Sequence, residues 1–180
     1  DEYQSVINHV TDPSDWTVPT GLKWTIILLC TDADSYMRSC NPFGDSCEVI
    51  DVTIDDDFTS EKGYNMAKEI VKSRENVAML IAFPCTGGCL FNMGINSKNP
   101  KCVPKIKAHW KLFRKLWKSY DRLCNETRIV PSILEWPRYC AYWAQARVKT
   151  RLAKNGMVDT NFDGCQFDLH SVKKGNEHMY

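Results

Sequence analysis

A chain of 180 residues, 43% hydrophobic and 25% charged, has the size and balance of one folded domain. At that length it buries enough surface to hold a core without a metal or disulfide staple. Its 23 basic and 22 acidic residues leave a net charge of +1, which excludes a global pull toward nucleic acid or membrane and makes any electrostatic recognition local.

Residues 1–20 are polar, carry Pro13 and Pro19, and read as an extended lead-in to a domain over 21–180. Trp24 to Cys30 is a continuous apolar run of strand length, the pattern of a strand covered on both faces. It is the longest apolar run and falls far short of the roughly 20 residues of a membrane span, so no membrane partner is expected. Thr31-Asp32-Ala33-Asp34-Ser35 reads as a polar loop, followed by a short helix over 34–40 and a turn at Asn41-Pro42-Phe43-Gly44-Asp45. A second strand over Cys47–Val52 runs into the acidic loop Asp55-Asp56-Asp57.

Ser60 to Ser73 has helical spacing. Ser60 is placed as the N-cap, and Tyr64, Ala67 (or Met66), Ile70 and Val71 share a stripe. Asn76–Phe83 is a third apolar strand ended by Pro84, and 84–104 reads as a long loop with Gly, Asn and Pro. Loops of that length inside a domain are usually functional. Lys105–Cys124 is the clearest helix, with Ile106, Trp110, Phe113, Trp117 and Tyr120 at intervals of three and four. Ile129–Leu134 is a fourth strand whose Pro131 marks a start or an edge. A helix over 138–154, ended by Asn155-Gly156, and a strand-like piece over Asn161–Leu169 complete the chain.

Apolar strands alternating with helices predict a Rossmann-like α/β domain, a mostly parallel sheet with helices on both faces. In such sheets ligands bind beyond the carboxyl ends of the strands. Thr31–Ser35, Asp51–Thr59, Pro84–Asn92 and Glu135–Arg138 all arrive there. The most specific stretch is Phe83-Pro84-Cys85-Thr86-Gly87-Gly88-Cys89. Its proline ends a strand, its paired glycines leave room for close backbone approach, and a thiol at the break becomes a nucleophile if its pKa is lowered. The plainer reading is a tight turn with a chance cysteine.

Pro84-Cys85 at a strand end, followed by a glycine-containing loop, resembles the catalytic loop of cytosine-C5 DNA methyltransferases. Ile133-Leu134-Glu135-Trp136-Pro137, with Glu135 50 residues after Cys85, stands where that family carries its strand-end glutamate. The resemblance implies a methyltransferase-type fold, Cys85 as the nucleophile that adds to C6 of a flipped cytosine, and Glu135 as the group that protonates N3. It implies S-adenosylmethionine as cofactor, on a side formed by Asp51 (Asp55 as runner-up), Asp32 and Pro84. It places nucleic acid against Thr86, Gly87 and Gly88. The chain departs from the family in two places. No glycine stands in Leu29-Cys30-Thr31-Asp32-Ala33-Asp34, where a Phe-x-Gly-x-Gly loop belongs, and no Gln-x-Arg-x-Arg element follows. The wording Pro-Cys-Thr-Gly-Gly, Glu-Trp-Pro-Arg and Phe-Asp-Gly-Cys also resembles domains of mobile-element polyproteins, in keeping with termini that read as cut from a longer chain. The alternative is a non-catalytic descendant of the fold that binds nucleic acid or protein.

Seven Lys/Arg and no acid lie between Lys101 and Lys118, so Lys111, Arg114 and Lys115 offer a local phosphate-binding face, with Arg138 beside the glutamate motif. The interleaved aromatics are more often core than base-stacking. Nine cysteines, an odd number spread through strands and helices, read as reduced thiols of an intracellular protein, nuclear or cytoplasmic. A metal site from Cys85, Cys89 and Cys102, Cys165 or His170 fits no standard zinc spacing, and none is expected.

Overall fold

The computed structural model describes residues 23–31 and 45–161 and the backbone of 170–173 and 176–179. Four strands, β1 (Trp24–Leu29), β2 (Cys47–Val52), β3 (Val77–Ile81) and β4 (Ser132–Leu134), form one sheet in the order β2-β1-β3-β4. Every pair in it is parallel, so the molecule is a Rossmann-like α/β domain. The register sets Leu28 beside Asp51 and Leu80, and Leu29 beside Val52 and Ile81.

Helix α1 (Glu61–Ser73) starts where the sequence places it, with the Ser60 hydroxyl accepting from the Gly63 amide at 3.1 Å. Its buried stripe is Tyr64, Ala67 and Val71, whereas Met66 faces solvent. Helix α3 (Val103–Glu126) begins at a proline-containing first turn and buries Phe113, Leu116, Trp117, Tyr120, Leu123 and Cys124. These two stripes close on Ile27, Leu29, Val52, Met79 and Ile81, one alternation of the strands, to make the core. Leu28 is fully buried on the opposite alternation.

The segment 84–104 is more ordered than a long loop. It holds a short helix, α2 (Leu90–Gly94), and a 3-10 turn over Asn96–Lys98. The helix expected over 138–154 is shorter: α4 spans Ala146–Lys154, and 138–144 is a run of turns. Those turns are held by tertiary partners described below, which periodicity cannot report. α4 docks on α3 through the buried Arg151, which donates to Asp121 at 2.5 Å and to Asn125 at 2.8 Å.

β4 pairs on one side only among the described residues, in keeping with Pro131 at its start. A separate antiparallel pair, β5 (His170–Lys173) and β6 (Asn176–Met179), lies near the carboxyl terminus. The lead-in 1–20, the helix over 34–40 with most of the adjoining loop and turn, and nearly all of Asn161–Leu169 lie outside the described residues. Among the described residues no helix is long and apolar enough to cross a membrane.

Candidate functional site at the carboxyl edge of the sheet

The strand order changes direction between β1 and β3, the position where open parallel sheets open a crevice. The ladder runs past the strand ends there. Cys30 donates to Val52 at 2.9 Å, Ala82 to Leu29 at 3.0 Å, and Glu135 to Ile81 at 3.4 Å. Because β3 and β4 are neighbours, Cys85 and Glu135 leave the sheet side by side.

Cys85 is half-buried, between exposed Pro84 and exposed Thr86. Burial is the main cause that raises its thiol pKa, and the charges of Cys89 and Glu135 add to it. A raised pKa leaves less thiolate at neutral pH than an ordinary cysteine holds. Glu135 is exposed, not the buried carboxyl group that proton delivery to N3 calls for.

The two glycines meet the protein itself. Both are buried, and protein fills the space beside them. A Cβ at Gly87 would lie 2.4 Å from the Tyr142 hydroxyl and 2.9 Å from the His109 Cβ. One at Gly88 would lie 2.8 Å from the Tyr142 ring and 2.9 Å from the Cys140 Sγ. The missing side chains thus let the Cys85 turn seat against α3 and Tyr142.

The turn is tied down from several directions. The Gly88 amide donates to the Cys85 carbonyl at 2.9 Å, and the Ala141 amide to the Gly88 carbonyl at 2.7 Å. The Trp136 indole donates to the Phe83 carbonyl at 2.8 Å, and the Asn92 amide group to the Thr86 carbonyl at 2.6 Å. Phe113 stacks on Tyr142 with centroids 3.8 Å apart. Cys140 and Tyr142, which no short motif singles out, are therefore the support of the turn. Burial pushes their pKa values up to about 11 and about 12. Only the aromatic density of 136–143 hints at this in the sequence.

Just past β1, Cys30 takes a positive φ of 64°, the region glycine occupies freely, and its side chain packs against the core. Its thiol is pushed up to about 12 by burial and by Asp57. Asp51 is 9% exposed, one position before the end of β2 and beside Leu28. Asp32 lies outside the described residues. Asp55 is exposed. Asp56 and Asp57 fold the loop on itself, accepting from Thr53 at 2.9 Å and from Thr59 at 3.0 Å.

Lys111, Arg114 and Lys115 are exposed along α3, and the contact of Gly87 with His109 and Trp110 brings the start of this basic face to the Cys85 turn. The Arg114 guanidinium lies 5.7 Å from the Trp110 ring centre. Phe113 and Trp117 are buried, so they serve the core and offer no stacking platform. Arg138 is exposed, 5.5 Å from the centre of the Tyr139 ring. Among the described residues no three His, Cys, Asp or Glu side chains are grouped to hold a metal ion. No protein-family model, no curated protein and no solved structure matches the chain.

Proposed function

We propose that this chain is a cytosine-C5 methyltransferase-like protein that engages nucleic acid at the Cys85 turn, as one domain of a larger intracellular polypeptide. The observation that carries the reading is the emergence of Cys85 and Glu135 from neighbouring parallel strands, close enough for the Glu135 charge to act on the thiol. Lys111, Arg114, Lys115 and Arg138 supply phosphate contacts around it.

In the reaction this pair suits, the Cys85 sulfur bonds to C6 of cytosine and the displaced π electrons move into the ring. A proton delivered to N3 through Glu135 neutralises the charge that develops. Because burial holds the free thiol above its ordinary range, the step requires that the thiol proton leave as the bond forms, with the Glu135 carboxyl group taking it and passing it to N3, so that one proton moves from the sulfur to the ring. Because Glu135 is exposed, it requires that the base itself exclude water from the carboxyl group. S-adenosylmethionine would supply the methyl group.

The test is trapping on DNA and RNA containing 5-fluorocytosine. A covalent complex with wild type that vanishes in Cys85→Ser supports the reading. No complex, together with no thermal shift from S-adenosylmethionine, ends it.

The raised Cys85 thiol and the absence of a glycine loop after β1 favour a second reading, a non-catalytic descendant that binds nucleic acid. It expects affinity that survives Cys85→Ser and falls, with a shallower salt dependence, when Lys111, Arg114 and Lys115 are reversed to Glu.

A further inference from the structure

Four large apolar side chains on and just after α2 stand in solvent: Leu90, Phe91, Met93 and Ile95 are 66%, 60%, 41% and 61% exposed. α2 buries none of its residues. Its inward side chain is the polar Asn92, bonded back to Thr86 and receiving a bond from Asn96 at 2.6 Å. The segment Leu90–Ser97 has no charge, while Lys98, Lys101, Lys105 and Lys107 follow it. Over 76–120 the chain has eight Lys/Arg and no Asp or Glu. An apolar centre with a rim of one sign is the anatomy of a protein interface and calls for an acidic partner rim.

The same molecule carries the complement. Residues 45–75 hold nine acids against four basic residues. Their exposed tip is Ile54, 70% in solvent, followed by Asp55, Asp56 and Asp57. The bonds from Thr53 and Thr59 to Asp56 and Asp57 hold this loop in shape. The loop leaves the carboxyl end of β2, and α2 follows the carboxyl end of β3. In a parallel sheet both therefore sit at one end of the molecule.

We propose that a second copy of this chain docks on that end about a two-fold axis. Ile54 and Asp55 of each copy meet Leu90, Phe91, Met93 and the Lys98–Lys101 rim of the other, so each contact forms twice and the assembly closes as a dimer. Nucleic acid would satisfy the lysines but leave the apolar side chains uncovered, and an anionic bilayer that covered them would meet the acidic loop beside them. The proposal does not depend on the chemistry of Cys85.

The test is sedimentation equilibrium of the full chain over a range of concentration and salt. Wild type is expected to pass from monomer to dimer and stop there, with association weakening as salt rises. Phe91→Asp should weaken association at least tenfold, and Lys98→Glu and Asp55→Lys each about fivefold. An equimolar mixture of Lys98→Glu and Asp55→Lys should recover a 1:1 dimer, which also shows that both variants fold. A wild type that stays monomeric, a dimer indifferent to these substitutions, growth beyond dimer, or a mixture that recovers nothing overturns the proposal. Binding to vesicles of phosphatidylserine and phosphatidylcholine that needs Phe91, without self-association, overturns it in favour of a membrane.

Discussion

The Trp136 indole N–H donates to the Phe83 carbonyl at 2.8 Å, tying the residue after Glu135 to the residue before Pro84. Both side chains are buried, so this bond joins the two halves of the candidate site inside the protein. Trp136→Phe keeps a ring but leaves the Phe83 carbonyl without its donor. The expected cost is about 1–3 kcal/mol in urea unfolding. A loss under about 0.5 kcal/mol would show that the tie carries no weight.

Gly88 is a packing position. An alanine there brings a methyl group into the Tyr142 ring and the Cys140 sulfur, and overpacking of this kind costs about 1–3 kcal/mol. Cys140→Ala should relieve part of that cost, so the double variant is expected to be more stable than the two single effects combined. Strict additivity in thermal or urea unfolding would contradict the contact.

Cys85 should alkylate slowly at neutral pH. Burial, then Cys89 and Glu135, place its thiol above the ordinary 9.0, and only the thiolate reacts. Peptide-level mass spectrometry after timed iodoacetamide exposure should show the rate still rising above pH 9. A plateau below pH 8 would mean an activated thiol. Glu135→Gln removes one of the charges that raise the value and should move the profile to lower pH.

Glu126 sets an acid limb of stability. Hydrogen bonds from Lys68, then Arg122 and Tyr64, hold its carboxyl down to about 2 from an ordinary 4.5. A depressed folded value means that the unfolded chain takes the proton first. The contribution is therefore complete above about 4.5 and lost as pH falls toward 2. Glu126→Gln should flatten the fall in thermal midpoint between pH 5 and 3. An unchanged slope would place the acid sensitivity elsewhere.

The sheet was legible because its four strands are short apolar runs bounded by polar or proline breaks, and α1 and α3 because their stripes recur at three and four. The stripe Phe113, Trp117 and Tyr120 turned out to be core, the plainer of its two readings. The site was half legible. Position brought Cys85 and Glu135 together, but neither burial nor charge can be read from position, so the raised thiol and the exposed carboxylate came only with the folded chain. What the glycines make room for was hidden for a related reason. A glycine declares that something approaches closely, and the approaching group is Tyr142, more than 50 residues away in sequence. The late start of α4 belongs to the same cause, since Ala141 gives its amide to Gly88 in place of a helical partner.

The rings around the turn have one more consequence. Trp136 lies 4.7 Å from Trp143 at 66° and 5.4 Å from Tyr142 at 71°, a fixed and asymmetric arrangement of strong chromophores. Such an arrangement gives intense near-ultraviolet circular dichroism, and the signal depends on ring orientations set by the Phe83 and Gly88 bonds. The candidate site thus carries its own dye-free optical reporter. Anything that seats on the Cys85 turn and shifts it by a fraction of an ångström should register in that band before it registers in stability.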